Sequence, residues 1–346
     1  MFSSLLQNAP SSDPVAILNG APGVLDPALV LLGAMALDAA IGDPRWLWRL
    51  LPHPVVWAGA LIGWFDRKLN REDRSAVNRT VRGAVAVAIT VGLAAGLGWA
   101  AHYLLARLPF GMGWEALIVA VLLAGRGLFD HVGRVAKGLK ADGLEGGREA
   151  LRHIVGRDVK SLDSHGVARS AIESLAENFA DGLVAPAFWY VLLGLPGLLA
   201  YKAINTCDSM IGYRTKRHKA FGLVAARLDD AANFLPARLA GILVCLAALF
   251  APRGDPARAV RTMRADAGKH ASPNAGWPEA AMAGALDLAL GGPRRYPGGV
   301  TEGAWIGTGR ARLGPRDIAA ARRLYLIACA IGWALAAGVA LAGWVG

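Results

Sequence analysis

The stretch ESLAENFADGLVAPAFWYVLLGLPGLLAY, residues 173–201, joins an acidic segment directly to an apolar run that is long enough to cross a bilayer. In an α-helix Glu173, Glu177 and Asp181 are spaced i, i+4 and i+8, so their carboxylates are predicted to line one face. Two prolines and two glycines interrupt the apolar run, and membrane proteins tolerate such breaks where the backbone borders a protein-lined cavity. The stretch therefore predicts a polar site beside a broken membrane helix.

The composition of the whole chain also indicates a membrane protein. Of its 346 residues 54% are hydrophobic and only 18% are charged, and the mean hydropathy is +0.37. These values indicate an all-α, polytopic integral membrane protein rather than a soluble domain. The 37 Lys and Arg exceed the 26 Asp and Glu and give a net charge of +11, an excess that marks cytoplasmic loops in membrane proteins. No nucleic-acid partner is expected, because aromatic and basic residues are not interleaved.

The pattern of apolar runs predicts a single membrane-embedded domain, residues 1–346, with several transmembrane or re-entrant helices and cytosolic helical loops. A transmembrane hairpin is predicted from residues 83–106 and 114–125. The other expected segments are a cytosolic helical excursion with the first carboxylate motif at 130–182, a motif-rich loop at 202–238, a basic cytosolic segment at 252–323 and a C-terminal transmembrane helix at 324–345.

The topology between residues 183 and 251 has two interpretations. If the apolar runs 183–201 and 239–251 both span the membrane, the loop between them lies outside; if neither does, the loop lies in the cytoplasm. The loop, residues 202–238, contains seven Lys and Arg against three Asp. This balance favours the cytoplasmic side and therefore two half-spans or a re-entrant arrangement.

A group of polar residues directly follows the apolar run. Asn205, Asp208 and Ser209 lie here, flanked by Lys202 and Arg214. Basic residues close to a carboxylate suit a magnesium-bound polyphosphate, because the metal joins oxygens of protein and nucleotide while Lys and Arg offset the remaining charge. The alternative is a basic loop that meets anionic lipid headgroups at the membrane surface.

A second acidic cluster contains Arg227, Asp229, Asp230, Asn233 and Arg238. On a helix Asp229 and Asn233 share a face. Neighbouring carboxylates repel each other, and Mg²⁺, which prefers carboxylate oxygens and substrate phosphates, is the simplest compensation here and at the first carboxylate row. The alternatives are a solvated helix face for the first row, and helix capping with ion pairs to Arg227 for the second cluster.

Two residues nearer the N-terminus are also candidates. Asp38 lies close to the end of an apolar helix predicted over residues 27–42, where it is either functional or a carboxylate at the membrane interface. His53 stands between two prolines, and a single histidine in a loop is more often structural than catalytic.

Many short motifs along the chain, taken together, form a pattern specific enough to indicate a protein family. They include Asp38, Gly42–Pro44, His53–Val55, Arg157-Asp158, Leu162-Asp163, Glu173–Asn178, Asp181-Gly182, Tyr201–Ala203, Asn205-Thr206, Asp208–Met210, Gly212-Tyr213, Phe221-Gly222, Ala226–Asp230, Asn233, Pro236–Arg238 and Ser272–Gly276. With these motifs the chain resembles, nearly from end to end, the adenosylcobinamide-phosphate synthase family of cobalamin biosynthesis. Two positions depart from the pattern of this family. Cys207 stands where an aliphatic residue is expected, and His218 stands where a tyrosine is expected.

The resemblance implies an ATP-dependent amide ligation. A carboxylate of adenosylcobyric acid would be joined to the amine of (R)-1-amino-2-propanol or of its O-phosphate, giving adenosylcobinamide or its phosphate. Phosphorylation by Mg-ATP would turn a carboxylate oxygen into a leaving group, which the amine then displaces. The resemblance also implies Mg²⁺ as cofactor, ATP as a substrate, a multi-pass location in the cell inner membrane with the active site facing the cytoplasm, and membrane-bound partners of the same pathway.

The resemblance further suggests roles for individual residues. The expected metal ligands are Glu177, Asp181, Asp229 and Asp230. The expected contacts to phosphate of ATP or substrate are Lys202, Arg214 and Arg227. Asp208 or Glu173 would accept the amine proton. The remaining expected substrate contacts are Asp43, His53, Asn178, Asn205, Ser209, Asn233 and Arg238.

Two other functions fit the same residues. One is a magnesium-dependent membrane prenyl or alcohol-phosphate transferase, because paired acidic motifs beside apolar helices also suit pyrophosphate substrates. The other is a non-catalytic membrane sensor or assembly scaffold of the same fold. The ligase requires ATP and a corrinoid, and this requirement distinguishes it from the transferase. The ligase also forms ADP, which the non-catalytic sensor or scaffold does not.

Overall fold

The computed structural model describes residues 26–42, 54–155, 159–296, 299–301 and 303–345. Asp43, His53 and the Arg157-Asp158 pair therefore lie outside the described residues. The described helices are α1 (Pro27–Ile41), α2 (Pro54–Leu69), α3 (Ala76–Leu105), α4 (Gly111–Leu122), α5 (Gly125–Ala141), α6 (Gly143–Leu151), α7 (Ser164–Phe179), α8 (Ala185–Ile211), α9 (Leu223–Ala232), α10 (Phe234–Ala247), α11 (Pro256–Asp266), α12 (Gly276–Leu286) and α13 (Pro315–Val345).

Shorter elements complete the chain. A π-helical turn, Ala180–Val184, joins α7 to α8, and a 3₁₀ turn, Ala267–Lys269, follows α11. Among the described residues, four strands of two or three residues form two antiparallel pairs, Leu290–Gly291 with Trp305–Ile306 and Arg294–Tyr296 with Gly299–Thr301. The strands are β1 (Leu290–Gly291), β2 (Arg294–Tyr296), β3 (Gly299–Thr301) and β4 (Trp305–Ile306).

Several helices are long and apolar enough to cross a membrane. In the described part of the chain four ranges pass this test, namely Ala76–Leu105, Gly111–Ala141, Ser164–Ile211 and Pro315–Ala342. The range Gly111–Ala141 runs through α4 and α5, and the range Ser164–Ile211 runs through α7, the π turn and α8. The pair α9 and α10, bent by 44° at its junction, is a further candidate, as a broken span or a re-entrant loop. The prediction of an all-α, multi-pass membrane protein is confirmed. Most of the apolar run 183–201 lies in α8, which continues to Ile211, and the run 239–251 begins within α10 and extends past its end at Ala247.

Short polar side chains define where helices begin. Asp26 accepts hydrogen bonds from the backbone N–H groups of the first turn of α1, at 2.8 and 3.0 Å. Ser75, Asp163 and Asp255 cap α3, α7 and α11 in the same way. Such caps satisfy backbone donors that the helix itself cannot pair, and each stabilises its helix by about 1 kcal/mol.

The chain divides into two compact units. Unit 1 comprises Met1–Leu123, Pro186–Ala226 and Ala334–Gly346, as far as these are described, and unit 2 comprises Ala124–Ala185 and Arg227–Trp333. Within unit 1, α1 packs against α4, and α3 packs against α2 and α4. Within unit 2, α5 packs against α6 and α7, and α12 packs against α10 and α11.

A buried cluster in unit 1 joins α2, α3 and α8 to the segment that follows α8. Its members are Ile62, Phe65, Ala86, Val87, Cys207, Ile211, Phe221 and Ala225. Phe221 is completely buried, and α3 approaches it so closely that a Cβ on Gly83 would overlap the Phe221 carbonyl oxygen. The segment 212–222, which we call the basic loop, is therefore packed firmly onto the helices rather than projecting freely.

The break in α8 is found at Gly194, whose φ of 62° and ψ of −157° are not helical. A positive φ favours glycine because it has no Cβ, and Pro196 follows within the same helix. In unit 1, α3 packs against this break, since a Cβ on Gly98 would lie 2.7 Å from Cα of Pro196. The prolines and glycines that interrupt the sequence thus correspond to a kinked helix.

A polar cluster ties α3, α4 and α8 together inside unit 1. The carboxylate of Glu115, on α4, is 1% exposed. It accepts a hydrogen bond of 2.7 Å from the Tyr190 hydroxyl and lies 2.9 Å from Nδ1 of His102. A carboxylate in an apolar helix bundle is costly unless its oxygens are paired, and here partners on two other helices meet that requirement.

A second polar cluster fixes the base of the basic loop. Asp66, at the end of α2, accepts hydrogen bonds from Asn70 at 2.7 Å and from Arg217 at 2.8 Å. Asn70 also donates to the Arg217 carbonyl at 3.0 Å and accepts from Arg79 at 2.9 Å. Burial alone raises the pKa of Asp66, but the hydrogen bonds from Asn70 and Arg217 and the charge of Arg217 outweigh it and hold that pKa below its ordinary value.

Asp66→Asn is expected to lower the thermal unfolding midpoint in detergent at neutral pH, with a loss of about 2 kcal/mol, because it replaces a charged acceptor of Arg217. Since the folded-state pKa is depressed, this stabilisation is complete above the ordinary aspartate pKa of about 3.9 and disappears as the pH falls through the lower folded value. The difference in midpoint between wild type and variant should therefore shrink under acid conditions. Asp73→Asn, at a carboxylate that is 68% exposed, is the control. A difference independent of pH would contradict the assignment.

Candidate functional site

The first carboxylate motif lies on α7, a helix buried on most of its faces in unit 2. Glu173 is 5% exposed, and its Oε1 accepts a hydrogen bond of 2.7 Å from the backbone of Gly291 in β1. Glu177 is exposed. Asn178 is half-buried and donates to the Ser174 carbonyl at 2.9 Å. The motif thus combines one carboxylate that anchors a strand with one at the surface.

The π-helical turn Ala180–Val184 contains the third carboxylate of the predicted row. Asp181 lies in this turn and is half-buried. A π turn contains more residues than an α turn, and the three carboxylates differ in exposure, since Glu173 is buried, Glu177 is exposed and Asp181 is half-buried. The turn packs against α10. Such turns occur frequently at functional sites.

The second acidic cluster occupies the junction of α9 and α10. Asn233 stands between the two helices and is 1% exposed. Its side-chain amide donates to Oδ2 of Asp229 at 3.0 Å, as their i, i+4 spacing predicts. Asp229 and Asp230 are half-buried, whereas Arg227 is exposed. The bend therefore places two adjacent carboxylates at a helix end within reach of solvent.

Asn274 connects this junction to the turn that precedes α12. The residue is 4% exposed; its Nδ2 donates to the Asp230 carbonyl at 2.8 Å, and its Oδ1 accepts from Nη1 of Arg238 at 3.2 Å. The hydroxyl of Ser272 accepts from the backbone N–H groups of Asn274 and Ala275 at 3.2 and 3.3 Å. One amide side chain therefore bridges the acidic junction and an arginine.

Arg238 is also held by aromatic rings and by its own helix. Its guanidinium carbon lies 3.5 Å from the ring centroid of Phe234 and 4.6 Å from that of Trp277, distances that suit cation–π contact. Nη1 further donates to the Phe234 carbonyl at 2.6 Å. The side chain is half-buried, so its orientation is set while part of it stays accessible.

A histidine and a buried glutamate support the same turn. Nδ1 of His270 accepts a hydrogen bond of 3.0 Å from the Ser272 backbone, and Nε2 lies 3.7 Å from Oε1 of Glu279. Glu279, in the first turn of α12, is 2% exposed. The arrangement links a buried carboxylate through His270 and Ser272 to Asn274.

The polar residues of unit 1 lie on the last turns of α8 and just beyond. Lys202, Asn205 and Asp208 are half-buried, and Ser209 is exposed and donates to the Asn205 carbonyl at 2.8 Å. The Asp208 carboxylate occupies the space beside Gly212, where a Cβ would overlap it. Elsewhere in this unit Asp38 is buried and Arg214 is exposed.

The structure brings together the predicted residues of the second acidic cluster, and separately those of the last turns of α8. No group of three or more His, Cys, Asp or Glu residues among those described is arranged to hold a metal ion. Mg²⁺ commonly uses one or two carboxylates with waters and substrate phosphates, and the adjacent half-buried carboxylates of Asp229 and Asp230 suit that donor set. The metal assignment remains a prediction.

Sequence reasoning gave no individual role to several residues that make long-range contacts in the polar clusters, although Asn274 belongs to the motif Ser272–Gly276. Asp66 contacts Arg217, 151 positions later, and Asn274 contacts Asp230, 44 positions earlier. Glu115 had a signal that could have been used, because a carboxylate within an apolar run suggests a functional or paired role.

The fold and its polar sites define a multi-pass helical membrane protein with acidic and basic side chains clustered at helix breaks. The family described as CobD/Cbib protein matches residues 31–325, and the chain belongs to this family of cobalamin biosynthesis proteins. The match includes both carboxylate motifs, the end of α8 and the Asn274 turn.

Curated relatives are similar over nearly their whole length. The cobalamin biosynthesis protein CobD of Sinorhizobium sp is 52% identical over 306 residues, which cover 88% of this chain and 95% of the relative. The protein of the same name from Rhizobium meliloti is 48% identical, with 88% and 94% covered. That from Rhodobacter capsulatus is 42% identical, with 92% and 98% covered. No solved structure matches the chain.

Asn274→Ala is expected to destabilise the protein by about 2 kcal/mol, because it leaves the Asp230 carbonyl and the Arg238 guanidinium without the amide that bridges them. Asn274→Asp keeps an acceptor for Arg238 but loses the donor to Asp230, so an intermediate loss is expected. Thermal unfolding in detergent measures both, with the exposed Asn78→Ala as control. Equal midpoints for Asn274→Ala and wild type would show that the bridge contributes nothing.

Proposed function

We propose that the protein is an ATP-dependent ligase that joins a carboxylate of adenosylcobyric acid to the amine of (R)-1-amino-2-propanol or of its O-phosphate. The product would be adenosylcobinamide or its phosphate. Membership of a family of cobalamin biosynthesis proteins supports the corrinoid substrate. The carrying observation is the junction of α9 and α10, where Asp229 and Asp230 adjoin the bend and Asn274 bridges the Asp230 backbone carbonyl to Arg238, which two aromatic rings also contact.

The chemistry requires activation of the acid. One carboxylate oxygen of adenosylcobyric acid would attack the γ-phosphorus of ATP, giving an acyl phosphate and ADP. The amine nitrogen would then attack the acyl carbon, the C–O bond to phosphate would break, and the ammonium proton would pass to a base. Phosphoryl transfer of this kind depends mainly on positioning and on offsetting negative charge.

The proposal keeps the residue roles that the family resemblance implies. Glu177, Asp181, Asp229 and Asp230 would hold Mg²⁺, which when bound offsets phosphate charge. Lys202, Arg214 and Arg227 would bind phosphate oxygens of ATP or of the amine substrate. Asn178, Asn205, Ser209, Asn233 and Arg238 would orient the substrates.

Asp208 is preferred over Glu173 as the acceptor of the amine proton. Glu173 is almost fully buried, and one of its oxygens already accepts a hydrogen bond from Gly291. Asp208 is half-buried at the end of a helix, where its carboxylate can be reached from solvent. A general base must come within hydrogen-bonding distance of the proton that it removes.

The proposal includes the location. As a multi-pass protein of the cell inner membrane, the enzyme would face its site to the cytoplasm, where ATP is available, and it would accept its corrinoid from other proteins of the pathway. In the structure, residues 202–238 are helical except for the basic loop and Asn233, and the excess of basic residues in this segment supports the cytoplasmic orientation.

The direct test uses detergent-purified full-length protein with Mg-ATP, adenosylcobyric acid, and aminopropanol or its phosphate. Mass spectrometry should show a corrinoid product of the amide's mass, formed in step with ADP. Turnover of a prenyl or alcohol phosphate without corrinoid would favour a transferase instead. Binding of corrinoid without formation of ADP in a folded, magnesium-loaded sample would favour a sensor.

Asp230→Asn is expected to reduce turnover by about 10- to 100-fold at limiting Mg²⁺, with partial recovery at high Mg²⁺, because a metal ligand loses its charge. Its backbone carbonyl, which Asn274 contacts, is unchanged, so folding should be retained. Glu149→Gln, at a carboxylate that is 61% exposed, makes the same charge change and is the control. Turnover close to wild type at limiting Mg²⁺ would remove Asp230 from the metal site.

A further inference from the structure

The basic loop, residues 212–222, presents cations that the rest of the fold leaves available. Arg214, Lys216 and Lys219 are exposed, and they form no ion pair with any residue in the described part of the chain. Arg217 differs, because its guanidinium is bound by Asp66. The loop thus has one cation that fixes it and three that face outward.

The loop is rigid at its base. The Arg217 carbonyl accepts hydrogen bonds from Asn70, at 3.0 Å, and from Arg79, and the Ala220 carbonyl accepts one of 3.0 Å from Thr80. Phe221 is buried in the core of unit 1. Since the backbone is already ordered, an anion that binds the outward cations would pay little additional conformational entropy.

Exposed apolar side chains flank these cations in the sequence. Tyr213 is 55% exposed, Leu223 is 45% exposed and Met210 is 36% exposed. The loop begins where α8, part of a candidate span, ends, and it is bonded to the N-terminal turns of α3, another candidate span. Tyrosine and lysine at the end of a span are typical of the membrane interface, where a ring meets acyl chains and a charge meets phosphate.

We propose that the basic loop is a binding surface for acidic phospholipid headgroups, in which Lys216 and Lys219 bind lipid phosphate and Tyr213 enters the interface. Exposed apolar residues on both sides of the cations favour a lipid over a soluble polyphosphate, which would leave those residues in water. The surface would fix the register of α3 and α8 in a bilayer that contains acidic lipid. It is independent of the proposed enzymatic activity.

The test compares full-length wild type with Lys216→Gln/Lys219→Gln, in which Arg214 is unchanged because the proposed function assigns it to a substrate. Lipid affinity is measured in neutral detergent by native mass spectrometry, with phosphatidylglycerol and phosphatidylcholine as probes. The variant should bind phosphatidylglycerol about 10- to 30-fold more weakly, since each lysine near an acidic surface contributes about one factor of five. Binding of phosphatidylcholine should be unchanged.

Lys137→Gln/Lys140→Gln is the matched control, because it removes two exposed lysines of α5 and the same charge. Tyr213→Ser keeps every cation and should still weaken binding of phosphatidylglycerol. Equal affinity of wild type and the Lys216/Lys219 variant would overturn the proposal, as would an equal loss in the control. If inorganic triphosphate is instead the ligand that the variant loses, the loop is a site for a soluble phosphate and the lipid assignment is wrong.

Discussion

Polar side chains buried in an apolar helical protein need hydrogen-bonding partners inside the protein, because no water is present there to bond to them instead. The polar clusters around Glu115 and Asn274 follow from this requirement. Glu115 is paired by side chains from two other helices, and Asn274 by the backbone of Asp230 and by Arg238. Each pairing fixes the relation of elements that are far apart in the chain, so satisfying a buried group also sets the local architecture.

Helix irregularities coincide with the polar motifs for a related reason. A regular α-helix pairs all of its interior backbone groups and presents side chains at constant intervals. The π turn at Asp181, the bend at Asn233 and the end of α8 after Asp208 interrupt this regularity. At each of them a carboxylate lies at or next to a helix irregularity or helix end.

The candidate sites were predicted in part from local spacing. The Asp229–Asn233 contact follows from i, i+4 geometry on one helix, and so was accessible to sequence reasoning. For Glu173, Glu177 and Asp181 the structure shows burial, exposure and half-burial respectively, and it places Asp181 in a π turn that the residues did not predict, while their shared face stays a prediction. The roles assigned to these carboxylates stay predictions.

The sequence by itself determined the class of the protein, since helix length and apolar composition are local properties that a bilayer requires directly. It also determined the interruptions of α8, where glycine and proline act on their own backbone. Only the tertiary structure decided which distant side chains meet, such as Asp66 with Arg217 or Asn274 with Arg238. These contacts depend on how helices pack against one another, and packing is a property of the whole fold that residue spacing does not encode.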